Sequence, residues 1–200
     1  MRSIWTPTLS DATPVATSIG PTSRATPTTA SAATHTCHGY TATIVGTEGS
    51  DEINGTDGRD VIVALGGHDE IDGRGGNDVI CAGSGNDEVE GGSGNDWIDA
   101  GSGHDEVDGE SGNDTIHGGS GHDSLEGGSG ADKIYGGSGN DHIEGDSGKD
   151  KLYGQSGHDL VEGGSGKDTV SGGSGKDILR QGHASDRVED RWEDRYGYDD

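Results

Sequence analysis

The chain has 200 residues, of which 41 are glycine and none is phenylalanine, and its formal net charge is -25. Only 26% of the residues are hydrophobic, so apolar burial cannot offset an entropy loss of about 1–2 kcal/mol per residue on folding. Any fold therefore needs a stabilising element besides a hydrophobic core. So much negative charge repels nucleic acid and anionic lipid, which excludes both as partners and favours cations.

Residues 1–36 are rich in Thr, Ser and Ala and contain all four prolines. This composition predicts a disordered stalk or linker. Residues 1–30 lack the apolar core of about 7–15 residues that a secretory signal needs, and no stretch reaches the roughly 18 apolar residues of a membrane span. We therefore expect no membrane span, and export by a route without a cleaved signal unless the true start lies upstream.

From residue 46 onward the chain repeats every nine residues without an insertion. In the unit Gly91–Asp99, GGSGNDWID, position 4 is glycine, position 6 is Asp and position 8 is aliphatic. The Asp recurs fifteen times, as Asp51, Asp60, Asp69, Asp78, Asp87, Asp96, Asp105, Asp114, Asp123, Asp132, Asp141, Asp150, Asp159, Asp168 and Asp177. We call these residues the column aspartates. A solvated acidic surface would need neither the glycines nor the aliphatic residue, so the pattern indicates a site.

The pattern G-G-x-G-x-D-x-U-x, with U aliphatic, resembles the hemolysin-type or repeat-in-toxin (RTX) calcium-binding nonapeptide over residues 46–180. The stretch CHGYTATIVGTEGSDEING also resembles small actinobacterial members of that family. The resemblance implies an all-β, right-handed parallel β-roll, a β-solenoid with two sheets of short strands and calcium in the turns. The sequence departs from the pattern at Thr47 and Thr56, which replace the second glycine, and at Ala64, Ala82 and Ala100, which replace the first.

The spacing suits calcium, which takes 6 to 8 oxygen ligands at roughly 2.3–2.6 Å. The turn Gly91–Asp96 can direct several carbonyls to one point, because glycine reaches backbone angles that a Cβ forbids; Asp96 adds a charged ligand. The strand Trp97–Asp99 then points only Ile98 inward. If ions are shared between stacked turns, as in the family, columns of eight and seven turns hold seven plus six, or about 13, ions. Folding would then depend on calcium.

Successive repeats lie on opposite sheets, so the outward residues at positions 7 and 9 form two faces. The acidic face carries Glu52, Glu70, Asp72, Glu88, Glu90, Glu106, Asp108, Glu126, Glu144 and Glu162. The mixed face carries Val61, Val63, Val79, Cys81, Trp97, Asp99, Thr115, His117, Lys133, Tyr135, Lys151, Tyr153, Thr169 and Ser171. The mixed face reflects either drift after duplication of an 18-residue unit or a docking surface. In the second case Trp97, Tyr135 and Tyr153 would bind cell-wall glycan or another protein.

The two cysteines bear on the N-terminal end of the solenoid. Ile44 keeps the aliphatic register of a degenerate repeat in which Ala42 replaces the Asp, so residues 37–45 are predicted to form a cap. A disulfide between Cys37 and Cys81 requires Cα atoms within about 7 Å. Residues 37–42 would then fold back over the valines of the mixed face, in an oxidising compartment. Two unpaired thiols are the alternative.

Four histidines, His68, His104, His122 and His158, precede column aspartates on the acidic side. They form either a row that binds a transition metal or senses pH, or a position that tolerates unusual backbone angles. Asparagines at the same position favour the second interpretation.

After residue 180 the repeat decays, although Asp186 and Val188 keep its register. Val188, Trp192 and Tyr196 are spaced by four residues and predict a short amphipathic helix. Residues 181–200 are therefore expected to form a degenerate repeat and a C-terminal cap, which a repeat array needs.

No HExxH, nucleophile elbow or P-loop occurs in the chain. The sequence therefore predicts a secreted, non-catalytic calcium-binding protein that folds outside the cell, with a cell-surface or adhesive role carried by the mixed face. The alternative is an accessory or truncated repeat segment of a secreted toxin or hydrolase.

Overall fold

The computed structural model describes residues 34–180, residue 182 and the backbone of residues 187–188. Within these residues every regular element is a β-strand, and none forms a helix long and apolar enough to cross a membrane. The predicted stalk up to residue 33 lies outside the described residues. The side chains on which the predicted C-terminal helix depends lie outside them as well.

The strands are short and follow the repeat. In chain order they are β1 (Thr36–Cys37), β2 (Tyr40–Thr41), β3 (Ile44–Val45), β4 (Glu52–Asn54), β5 (Val61–Val63), β6 (Glu70–Asp72), β7 (Val79–Ser84), β8 (Glu88–Glu90), β9 (Trp97–Gly103), β10 (Glu106–Asp108), β11 (Thr115–Gly121), β12 (Ser124–Glu126), β13 (Ser129–Gly130), β14 (Lys133–Ser138), β15 (His142–Glu144), β16 (Ser147–Gly148), β17 (Lys151–Ser156), β18 (Leu160–Glu162), β19 (Ser165–Gly166), β20 (Thr169–Ser171), β21 (Ile178–Arg180) and β22 (Arg187–Val188).

Strands from alternate repeats form two parallel sheets, which confirms the predicted parallel β-roll. The acidic face belongs to an eight-stranded sheet, β4-β6-β8-β10-β12-β15-β18-β21, and the mixed face to a nine-stranded sheet, β3-β5-β7-β9-β11-β14-β17-β20-β22. Residues 18 apart pair, as Ile98 does with Ile116 and Val170 with Val188. One coil is therefore two nonapeptides, and the register extends to residue 188.

Five strands of the mixed face, β7, β9, β11, β14 and β17, are longer than the predicted three residues. β9 and β11 each run for 7 residues, because their turn residues also pair across coils, as Ser102 does with Ser120. Three turns on the other side form a small sheet of their own, β13-β16-β19. Turns of constant length stack in register, so the backbone groups of one turn find partners in the next coil.

The core is a narrow stack of aliphatic side chains at repeat position 8, enclosed between the two sheets, to which three buried alanines add: Ala64, Ala82 and Ala100. Its middle members, such as Ile98, Ile116 and Ile134, are 0% exposed, whereas Ile44 and Leu179 at the ends are partly buried. With only one or two inward side chains per strand, the core is narrow. The fold therefore depends on what the turns contribute.

An N-terminal hairpin covers the start of the mixed face. Strands β1 and β2 pair antiparallel around His38 and Gly39, whose φ angles of 48° and 82° match the positive values of a type I′ turn. Cys37 forms a disulfide with Cys81, with a Cα–Cα distance of 5.8 Å. Cys37 packs with Val61, Val63 and Val79 in a second buried cluster. The outward valines of the first coils are thereby removed from water.

Candidate metal centre

The column aspartates stack in two columns, one along each side of the solenoid. From Asp51 to Asp159, the backbone N–H of each donates to Oδ1 of the aspartate 18 residues later, as from Asp96 to Asp114 at 2.8 Å. Eight aspartates in one column and seven in the other are joined by seven and six such bonds, thirteen among the described residues, at 2.7–3.1 Å. Every predicted site residue thus lies in a continuous ladder.

The second carboxylate oxygen is the distinctive feature of the ladder. From Asp69 to Asp159, Oδ2 of each column aspartate is buried and accepts no hydrogen bond. These residues are at most 3% exposed. A buried carboxylate oxygen without a donor is costly unless a cation is near. The repeated arrangement of such oxygens fits a row of cations.

Backbone carbonyls lie beside these oxygens. A Cβ placed on Gly91 would lie 3.2 Å from Oδ2 of Asp96 and 3.1 Å from the carbonyl oxygen of Gly109, one coil on. On Gly109 it would lie 2.9 Å from Oδ2 of Asp114 and 2.8 Å from the carbonyl oxygen of Gly127. Charged and neutral oxygens from adjacent coils thus border one small space, and an oxygen-only donor set is the one calcium prefers. The alanines that replace the first glycine carry a methyl group at the corresponding position.

Burial raises the pKa of the carboxyls within the columns. It raises the pKa of Asp114 and Asp150 to about 7, an effect opposed by the backbone N–H bond to each and reinforced by the neighbouring carboxylates. The pKa values of Asp69, Asp78, Asp105 and Asp159 rise to about 6 for the same principal reason. A fully ionised column is therefore unfavourable near neutral pH without a cation between its carboxylates.

The first aspartate of each column differs from the rest. Oδ2 of Asp51 accepts from the backbone N–H and hydroxyl of Thr47, at 2.6 and 2.9 Å. Oδ2 of Asp60 accepts from the same groups of Thr56, at 2.7 and 2.8 Å. The threonines that depart from the repeat therefore supply protein donors to the carboxylates at the start of the solenoid.

At the position before a column aspartate, histidine and asparagine stabilise the stack through their side chains. Nδ1 of His104 accepts from the backbone N–H of His122 at 2.8 Å, and Nδ1 of His122 accepts from that of Asn140 at 2.7 Å. Asparagine does the same with Oδ1, as Asn86 does for His104 at 2.9 Å. The predicted role in tolerating unusual backbone angles is wrong, because no described residue at this position has a positive φ.

Positive φ angles in non-glycine residues occur instead at repeat position 2, at Leu65, Arg74, Glu110, Asp146 and Gln155. The histidine row is also a poor metal site. An Nδ1 that accepts a hydrogen bond leaves the ring proton on Nε2, so Nε2 has no lone pair for a metal. The alternation of His and Asn at this position could have indicated the observed role, because both side chains carry a hydrogen-bond acceptor at the same distance from the backbone.

The mixed face carries a ladder of stacked rings. Ring centroids are 4.8 Å apart between His117 and Tyr135 and 5.1 Å between Tyr135 and Tyr153. Trp97 stacks on His38 of the hairpin at 4.1 Å and lies 5.6 Å from His117. Trp97 is therefore partly covered by the N-terminal hairpin, a contact that the repeat pattern did not predict.

Comparison with known families is consistent with this geometry. Residues 45–80, 82–116, 108–143, 117–152 and 144–179 match the family model of the RTX calcium-binding nonapeptide repeat (4 copies). These segments span most of the solenoid and more than half of the chain. Among curated proteins no match is found.

Proposed function

The chain belongs to the family of RTX calcium-binding nonapeptide repeat proteins and binds calcium, and from this premise we propose an exported, non-catalytic β-roll that folds when ions fill its turns. The column aspartates from Asp51 to Asp177 are the proposed ligands. The observation that carries the proposal is the row of buried Oδ2 atoms without hydrogen-bond donors. Calcium supplies the positive charge that these oxygens lack, and backbone carbonyls complete its shell.

The ladder also sets the proposed number of ions. Each hydrogen bond between neighbouring column aspartates marks one space between two turns, so seven plus six spaces give about 13 ions in the shared-site repeat pattern. The spaces next to Asp51 and Asp60 are expected to be the weakest sites, because Thr47 and Thr56 already donate to those carboxylates.

Two features support folding outside the cell. The disulfide between Cys37 and Cys81 persists in oxidising compartments and is rare in the cytosol. A chain whose turns need a divalent cation remains unfolded where that cation is scarce and folds where it is abundant.

Calcium titration followed by circular dichroism tests the proposal. In chelator we expect a disordered spectrum, and in millimolar calcium a cooperative gain of β signal that chelator reverses. Magnesium is the control ion, because it is smaller and demands near-octahedral geometry, so at the same concentration it should produce little change. A full β signal in chelator that calcium leaves unchanged would refute the proposal.

The ring ladder favours an adhesive role as a second candidate function. Tyr135 and Tyr153 present half-buried rings beside the exposed side chains of Lys133 and Lys151, a combination that suits stacking against sugar rings. Substituting both tyrosines with Ser should abolish pull-down by cell-wall glycan and leave the calcium response intact. Glu88→Gln with Glu106→Gln on the acidic face is the matched control. Equal pull-down by the tyrosine variant would exclude this role.

The remaining alternative is a repeat segment that serves a separate catalytic chain. A self-sufficient protein predicts that residues 37–200 alone reach the full β signal in calcium. A segment of a larger toxin or hydrolase predicts that folding needs another chain.

A further inference from the structure

The acidic face contains one histidine among its described outward residues, His142 on strand β15. Strand β15 pairs in parallel with β18, which places Glu144 directly beside Glu162 of the next coil. His142 and Glu144 are two residues apart on one strand, so their side chains lie on the same face of the sheet. The repeat thus brings an imidazole and two carboxylates together on a rigid scaffold.

The three side chains converge. Nε2 of His142 lies 3.0 Å from Oε1 of Glu144 and 3.8 Å from Oε1 of Glu162. One ligand atom from each of the three residues lies within 4.8 Å of the other two. Nε2 is enclosed and makes no contact with hydrogen-bond geometry, despite its closeness to Glu144. A buried ring nitrogen between two carboxylates, without a hydrogen-bond partner, points to a bound cation.

We propose that His142, Glu144 and Glu162 bind a divalent transition metal such as Zn²⁺, at a site separate from the calcium-binding turns. One imidazole nitrogen and two carboxylate oxygens form a donor set that zinc accepts, with water free to fill the open position. Calcium prefers oxygen ligands alone, so the imidazole distinguishes this site from the columns. The three side chains are 29–42% exposed, which leaves the site open to solvent ions.

The histidines of the column side do not compete for the metal in this way. Nδ1 of His104, His122 and His158 accepts a backbone N–H, which leaves the ring proton on Nε2. His142 is free of that constraint, because it lies at an outward strand position. The two kinds of histidine therefore provide an internal comparison.

Arg180 limits the affinity of the site. Its Nη1 lies 2.6 Å from Oε1 of Glu162, so its positive charge competes with the metal for that carboxylate. Replacing Arg180 with Gln should therefore tighten metal binding, by up to about fivefold if the exposed ion pair has ordinary strength.

Calorimetric titration of the full, calcium-saturated chain with Zn²⁺ tests the inference. Wild type should bind zinc at one site tighter than the background of surface carboxylates. His142→Gln should weaken that site by at least about tenfold, and Glu144→Gln should weaken it in the same direction. His122→Asn is the matched control, because Oδ1 of Asn keeps the acceptor at the level of Nδ1 and the residue lies outside the proposed site. Circular dichroism of each sample reports whether the calcium-dependent fold is intact.

Three results would overturn the inference. Equal zinc affinity in wild type and His142→Gln would show that the three side chains do not bind the metal. Loss of the site in His122→Asn would assign the metal to the histidine row instead. A weaker site in Arg180→Gln would contradict the proposed competition for Glu162.

Discussion

Replacing Asp114 with Asn tests the role of the columns most directly. Asp114 lies in the middle of its column, is 1% exposed and accepts the N–H of Asp96 through Oδ1 at 2.8 Å. Asparagine has nearly the same shape, and its Oδ1 can accept the same bond. The substitution therefore removes one negative charge at Oδ2 and leaves the ladder of hydrogen bonds in place.

In the calcium-loaded protein we expect this substitution to be costly. Removing an anionic ligand from a bound ion resembles removing one partner of a buried ion pair. Such a change lowers the free energy of unfolding by about 3–5 kcal/mol. For a chain of this size, that corresponds to a fall in Tm of about 6–20 °C. Without calcium the effect should disappear or reverse, because burial raises the pKa of Asp114 to about 7 and a neutral amide avoids the cost of ionisation.

Thermal unfolding by circular dichroism in calcium measures the first effect, and the residual β signal of each variant in chelator measures the second. Asp99→Asn is the control, since it removes the same charge from an outward position of the mixed face. We expect its free energy of unfolding to stay within about 0.5 kcal/mol of wild type. If Asp114→Asn lowers the Tm in calcium no more than Asp99→Asn does, the columns are not the calcium sites.

Three further substitutions or conditions probe the core, the cap and the ionisation of the columns. Ile116 occupies a core position that is 0% exposed, so Ile116→Ala should lower the free energy of unfolding in urea by about 2–5 kcal/mol with calcium present. The control is Thr115→Ala at the adjacent outward position. If the two substitutions cost the same, the aliphatic core does not lie between the sheets as described. Replacing Cys37 and Cys81 with Ser opens a bridge of sequence separation 44 and should lower the free energy of unfolding by about 4 kcal/mol in the loop-entropy model; reduced wild type should unfold like the variant. Because burial raises the pKa of Asp114 from 3.8 to about 7, its contribution to stability is complete below pH 3.8 and lost as pH rises through about 7. The calcium-free chain should therefore gain β signal on acidification, and a spectrum that stays disordered throughout that window would contradict the raised pKa values.

Much of the architecture could be predicted because the repeat has a fixed period. Aspartate at position 6 and an aliphatic residue at position 8 determine which side chains stack, so the pairing of Ile98 with Ile116 follows once two repeats form one coil, as the RTX resemblance implies. The same parity predicted the acidic and mixed faces and the outward position of Cys81. A repeat without insertions therefore determines which residues of neighbouring strands pair.

The features that could not be predicted involve residues outside the repeat or contacts between one coil and the next. The contact of Trp97 with His38 joins the solenoid to a hairpin that has no repeat. The role of His104 requires knowing that a backbone N–H lies one coil away, at the level of its ring. The strand Trp97–Gly103 exceeds three residues because turn residues pair between coils, which intrinsic turn propensity does not reveal.

The N-terminal end and the body of the described solenoid differ in how their column carboxylates are neutralised. At the N-terminal end, Thr47 and Thr56 donate to Asp51 and Asp60, and a disulfide-linked hairpin covers the first outward valines. From Asp69 to Asp159, Oδ2 of each column aspartate is buried and accepts no hydrogen bond. In a repeat array each coil contacts only its neighbours, so stability is close to a sum of local terms. The N-terminal coils obtain those terms from protein groups, whereas the Oδ2 atoms from Asp69 to Asp159 have no such donors. We therefore expect calcium dependence to lie in the body of the solenoid more than at its capped end.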